Sequence, residues 1–169
     1  MNRFKYYSNP ETNAVFTNRL CRFCSSSREC LEGVYFDVPG IDSVCLECLE
    51  QKKVSVPVPQ YVKQQIRQNE PVKTALLMQT PPVPWVQYND WPVCCDDYMQ
   101  YIGEWTREDF QNEALDGDGI GLLRAILRDD LAAQTDDFEA FWDSIGDDTA
   151  VFVFRCLVCG KLIAVCQNY

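Results

Sequence analysis

The chain contains no histidine. That removes Ser-His-Asp and Cys-His catalysis within the chain. It also removes the commonest ligand of catalytic zinc, whose sites keep one position open to water. A metal held here must be held mainly by thiolates, and four-thiolate zinc sites are closed and structural. No apolar run approaches the length of a membrane span. The opening MNRFKYYSNP lacks the apolar stretch of a secretory signal. The expectation is a cytoplasmic protein with no membrane attachment and no catalytic role.

Positive charge is also scarce. Fifteen Lys and Arg stand against 25 Asp and Glu, for a net charge of −10. Residues 1–75 are slightly basic, ten against eight, whereas residues 76–169 hold five basic and seventeen acidic side chains. Such a field repels phosphate backbones and favours basic partners, so nucleic acid is not the expected ligand. The plainer reading of the same charge is a surface that keeps the protein soluble.

Cysteine is abundant. Ten residues would suit a disulfide framework in an oxidising compartment, but nothing directs the chain to one. In a reducing cytosol, paired C-x-x-C motifs are metal or redox sites. Apolar residues make up 47% of the 169, enough for a packed core. The expected fold class is α+β, with zinc-ribbon hairpins flanking a small helical, aromatic-rich core. Residues 1–55 read as a zinc-ribbon-like module. Residues 56–169 read as an α+β domain with acidic helices and a C-terminal knuckle hairpin.

Along the chain, residues 3–7 alternate like a short strand, and 33–36 (GVYF) read as another before the turn at Pro39-Gly40. Pro57 and Pro59 make 54–59 an extended connector. A short helix is predicted over 61–69, and 80–84 (TPPVP) is stiff and extended. Trp85, Tyr88, Trp91, Tyr98, Tyr101 and Trp105 then supply core or groove lining. The aspartate loop 115–121 does not complete an EF-hand. Leu123, Ile126, Leu127 and Leu131 share one helical face, as do Phe138, Phe141, Trp142 and Ile145. Asp136 with Glu139 suggests a capping box for the second helix, and Gly146 its end. The chain closes on a hairpin, with strands at 151–154 and 162–165 around the knuckle 156–160.

Two cysteine constellations carry the chemistry. Cys21, Cys24, Cys45 and Cys48 form C-x2-C-x20-C-x2-C, the spacing of one tetrahedral zinc site. Cys156 and Cys159 form a second knuckle and need two further ligands. Cys94 and Cys95 are the nearest by type. Adjacent side chains diverge in an extended backbone, so one of them with Cys166 or Asp97 is the alternative. Cys30 reads as a bystander. Free thiols acting as a redox pair are the rival reading of each C-x-x-C.

The order of these motifs resembles the CbrC family, whose name is linked to colicin tolerance in bacteria. The resemblance rests on Cys21, Cys24, Tyr35, Cys45, Cys48, Thr80, Pro81, Trp85, Gln87, Trp91, Cys95, Asp97, Gly103, Phe154, Cys156, Cys159 and Gly160. It covers nearly the whole chain. The block from Trp85 to Asp97 is its specific part. The family favours His-Cys where this chain has Cys94-Cys95, and a further cysteine near Met99. The resemblance implies a factor in toxin tolerance or immunity. An acidic face would then meet a basic nuclease toxin domain, with Asp129, Asp130, Asp136 and Asp137 as candidate contacts. The alternatives are a zinc-ribbon adaptor without a toxin, a nucleic-acid binder through the N-terminal ribbon, and a zinc hydrolase built around Trp91, Cys95 and Asp97.

Overall fold

The computed structural model describes residues 3–36, 38–129 and 137–169. Its centre is a three-stranded antiparallel sheet of β5 (Gln100–Glu104), β6 (Thr149–Arg155) and β7 (Leu162–Asn168). Strand β6 lies in the middle and is buried along all but its last residue. Side chains alternate across a strand, and both faces of β6 are covered. Ala150, Phe152 and Phe154 enter one core cluster, and Val151 and Val153 enter a second. This is why VFVF is apolar throughout rather than alternating.

The first core holds Trp85, Trp91, Tyr98 and Tyr101 of the aromatic block, while Trp105 packs against the second. The ring of Phe154 lies 5.8 Å from Trp85 in a stacked arrangement and 5.4 Å from both Trp91 and Tyr101. The Trp91 indole N–H donates to the Met99 carbonyl at 2.8 Å. The same cluster takes in Phe4, Leu31, Leu46, Val62 and Val165. Tyr88 stands outside it, exposed. The second core sits under three helices: α5 (Arg107–Glu113), α6 (Gly119–Ile126) and α7 (Phe138–Ser144). They contribute Phe110, Leu123 and Trp142 to it.

Ahead of the sheet come α1 (Pro10–Asn13), β1 (Cys30–Glu32), β2 (Ser43–Cys45) and α2 (Leu46–Glu50). They are followed by α3 (Gln60–Lys63), α4 (Glu70–Leu77), β3 (Val93–Cys94) and β4 (Asp97–Tyr98). The N-terminal hairpin pairs β1 with β2, setting Cys30 opposite Cys45. The fold is α+β, with two small cysteine-bearing hairpins set against the aromatic core.

Several local readings shift. Residues 33–35 form a 3-10 turn rather than a strand, and the strand lies just before them. Gly33 explains the change. Its backbone passes so close to Ile41 that an added Cβ would sit 1.6 Å from the Ile41 carbonyl oxygen. The segment 3–7 is a tight turn bridging Phe4 to Tyr7, and Tyr7 lies parallel beside Tyr101. The helix expected over 61–69 stops at Lys63, and α4 starts after Asn69, which adopts a left-handed conformation. The cap of α7 is Asp137, whose carboxylate accepts from the Ala140 N–H at 3.0 Å. Asp136 and Leu131 lie outside the described residues. Gly146 follows α7 at φ 90°, a helix stop as expected.

Phe154→Ala empties a fully buried ring site with three aromatic neighbours. It should cost about 3–5 kcal/mol in urea unfolding of the protein as purified. A loss under about 1 kcal/mol would contradict the packing described.

Candidate metal centres

In each of two groups, four cysteine sulfurs lie within 4.8 Å of one another: Cys21, Cys24, Cys45 and Cys48, and Cys94, Cys95, Cys156 and Cys159. None of the ten cysteines is in a disulfide. Sulfurs placed about 2.3 Å from a common centre at tetrahedral angles lie about 3.8 Å apart. The separations here are 3.6 Å for Cys24–Cys45, 3.7 Å for Cys94–Cys159 and 3.8 Å for Cys94–Cys95. Disulfide sulfurs would sit near about 2.05 Å. In donor type, number and spacing, both groups fit a tetrahedral, thiophilic dication.

The first centre joins a turn to the β2–α2 junction. Cys21 and Cys24 sit in a turn closed by the Ser25 N–H donating to the Cys21 carbonyl at 2.9 Å. Cys45 ends β2 and Cys48 sits inside α2. Cys21, Cys45 and Cys48 are buried, and only Cys24 is exposed. Burial opposes ionisation of Cys21. The N–H groups of Cys45, Phe23 and Cys24 outweigh it, together with the Cys45 thiol, and hold Cys21 down at about 6. Burial pushes the Cys45 thiol up instead. These donors favour a thiolate at Cys21, and a cation held by the group would offset the cost of ionising Cys45. The Lys53 ammonium lies 3.6 Å from the Cys48 sulfur. Cys30 is in neither group of four, as a bystander would be. It is fully buried, and its thiol donates to the Ser26 carbonyl at 3.2 Å.

The second centre joins two hairpins. Cys156 leaves the end of β6, and the N–H groups of Val158 and Cys159 point at its sulfur from 3.4 and 3.5 Å. Burial again opposes ionisation, and these N–H groups with the neighbouring thiols hold Cys156 at about 7. Gly160, at φ 75°, returns the chain so that the Lys161 carbonyl accepts from the Cys156 N–H at 2.8 Å. Cys94 ends β3 opposite Asp97. Cys95 and Asp96 between them have φ 52° and 57°. Two successive positive φ values make a type I′ hairpin turn. The expectation that adjacent cysteines diverge assumes an extended backbone, and this turn replaces it. Both sulfurs then swing to one side. Burial and the neighbouring thiols push Cys94 up to about 12. This centre is the more open one, because Cys95 and Cys159 are exposed.

A family model matches this whole arrangement, over residues 1–167. The chain belongs to the uncharacterised protein family UPF0167. No curated protein and no solved structure matches it.

The alternative ligands of this UPF0167 chain are engaged elsewhere. Asp97 accepts from Lys5 and from the Tyr6 hydroxyl, both at 2.7 Å. Cys166 packs against the second core, where burial pushes its thiol up to about 12. Asp96 has a role that the sequence pattern did not signal. Its carboxylate accepts from the Arg67 and Gln68 N–H groups at 2.7 and 3.0 Å and pairs with Lys73 at 3.3 Å. Those backbone donors, Arg67 first, hold its carboxyl below the usual range. They also anchor the turn that aims Cys94 and Cys95.

Of the candidate partner contacts, Asp129 and Asp137 are exposed, and Asp130 and Asp136 lie outside the described residues. Asp109, Asp118 and Asp137 cap α5, α6 and α7, and Asp143 pairs with Arg107 at 3.5 Å. Part of the acidity in this region therefore holds helix N-termini. Among the described residues, no helix is long and apolar enough to cross a membrane.

Asp96→Ala should weaken metal binding at the second centre about 10–100-fold in chelator competition and leave the first unchanged. Equal losses at both centres, or none, would contradict the anchoring role.

Proposed function

We propose that this protein is a zinc-stabilised protein-binding factor without catalytic activity, working in a reducing cytoplasm. The observation that carries the zinc reading is the convergence of two separate sets of four thiols at tetrahedral spacing. Zinc is favoured because all-thiolate tetrahedral sites without histidine match it, and because such closed sites hold structure rather than activate water. Cys21, Cys24, Cys45 and Cys48 hold one ion; Cys94, Cys95, Cys156 and Cys159 hold the other. The first ion ties the turn at Cys21 to α2. The second ties the β3–β4 hairpin to the end of β6. Ten unbridged cysteines suit a compartment that keeps thiols reduced.

The binding role rests on charge. Besides the capping residues, Glu108, Glu113, Asp116, Asp129, Glu139, Asp147 and Asp148 stand exposed over residues 108–148. A basic protein domain is the partner such a surface would steer in. The resemblance to the CbrC family suggests that this domain belongs to a nuclease-type toxin. An adaptor role without a toxin would use the same scaffold.

Native mass spectrometry of the purified protein should give two zinc ions per chain. Cys24→Ser and Cys159→Ser should each remove one, from different centres. Zinc-free protein with intact thiols would end the zinc reading. Charge reversal at Asp129, which caps none of the described helices, should weaken binding to a cognate basic domain at low salt. Unchanged binding would sink the acidic-face reading while leaving the zinc sites standing.

A further inference from the structure

The two cysteine groups differ in how their sulfurs are shielded. In the first, Cys21, Cys45 and Cys48 are buried. The Lys53 ammonium donates to the Cys48 sulfur at 3.6 Å, and the N–H groups of Phe23, Cys24 and Cys45 surround the Cys21 sulfur. A hydrogen bond donated to a thiolate draws charge from the sulfur and makes it a poorer nucleophile. Cys24 alone is exposed in this group.

The second group is shielded on one side only. Cys156 is buried and takes the N–H groups of Val158 and Cys159. Cys95 and Cys159 are exposed. Among the described residues, neither sulfur accepts a bond from a backbone N–H, an ammonium or a guanidinium. The two stand on the tips of different hairpins, Cys95 in the turn between β3 and β4 and Cys159 in the knuckle between β6 and β7. Their sulfurs nevertheless lie within 4.8 Å of each other. Leu157 and Val158 beside Cys159 are exposed too, so the knuckle stands clear of the core.

We propose that this exposed pair is an oxidation site: hydrogen peroxide converts Cys95 and Cys159 to a disulfide and discharges the second centre, while the first keeps its ion. The proposal rests on the zinc reading above and adds to it a difference in chemistry between the centres. In the first step the Cys159 thiolate attacks a peroxide oxygen. An S–O bond forms, the O–O bond breaks, and hydroxide leaves, so that Cys159 becomes a sulfenic acid. The Cys95 thiolate then attacks that sulfur. The S–S bond forms, the S–O bond breaks, and a second hydroxide leaves. The two sulfurs have together given up two electrons, and the peroxide has gained them. Cys94 and Cys95 do not pair with each other. Neighbouring Cα atoms stand about 3.8 Å apart across a trans peptide, below the roughly 4.4–6.8 Å that an unstrained disulfide spans. With only Cys94 and Cys156 left as ligands, the ion departs. The new disulfide keeps the β3–β4 turn tied to the β6–β7 knuckle, so the fold survives the loss. Thiol–disulfide exchange with a reductant reverses the change.

The test adds hydrogen peroxide to the purified two-zinc protein in the presence of a chromogenic zinc chelator, and maps disulfides by peptide mass spectrometry. One ion per chain should be released at least about tenfold faster than the other, with Cys95 joined to Cys159. Cys24→Ser, which keeps only the second centre, should release its ion at the fast rate. Cys159→Ser, which keeps only the first, should release it at the slow rate. Lys53 is exposed, and Lys53→Met should speed the slow release severalfold while the fast one stays as it was. Dithiothreitol with added zinc should restore two ions per chain. Equal release from both centres, faster release from the first, retention of both ions, or a disulfide confined to Cys21, Cys24, Cys45 and Cys48 would overturn this proposal alone. Protein that carries no zinc before peroxide is added would end the zinc reading and the proposal with it.

Discussion

Strand β6 must satisfy two cores at once. Its even-numbered side chains face the aromatic cluster and its odd-numbered ones face the helices. A slip of one residue in its pairing would send each set to the wrong side. The register with β7, Thr149 opposite Asn168 through Arg155 opposite Leu162, is therefore held from both faces. The next residue is Cys156, so the same register sets the position of half the second cysteine group. The candidate metal chemistry is in this sense an extension of sheet packing.

The two centres are built by opposite means. The first draws its sulfurs from within 28 residues, through a turn and a strand–helix junction, and buries three of them. The second joins positions more than sixty residues apart in sequence, Cys94 and Cys159, and leaves two sulfurs exposed. Closing the longer loop costs more chain entropy. That cost is offset by what the fold has already arranged: the β6–β7 hairpin, the Trp91–Phe154 contact beside it, and the Asp96 anchor. In the proposed zinc form, the first centre creates much of its own local structure. The second locks an arrangement that packing has largely set.

The local patterns that carry strong periodicity were legible in the sequence. The VFVF strand, the knuckle at 156–160, the proline connector and the apolar face of α7 follow from spacing and residue type, whereas the helical face read on through Leu127 stops at Ile126, where Leu127 turns extended and bridges to Ala164. The first cysteine group followed from its C-x-x-C pairs. What escaped was governed by tertiary contact. Gly33 becomes a turn because Ile41 crosses over it, and nothing within GVYF signals that crossing. Cys94 and Cys95 converge because two non-glycine residues accept positive φ, supported by Arg67, Gln68 and Lys73 from an earlier segment of the chain. Asp-rich stretches read as a face turn out in part to be helix caps, since a carboxylate at a helix N-terminus and one on a helix flank look alike in sequence.

X-ray absorption spectroscopy at the zinc edge of the freshly purified protein tests the central claim most directly. The account predicts a first shell of four sulfurs at about 2.3 Å, with no nitrogen or oxygen scatterer. A mixed shell containing nitrogen or oxygen, or no bound zinc at all, would contradict it.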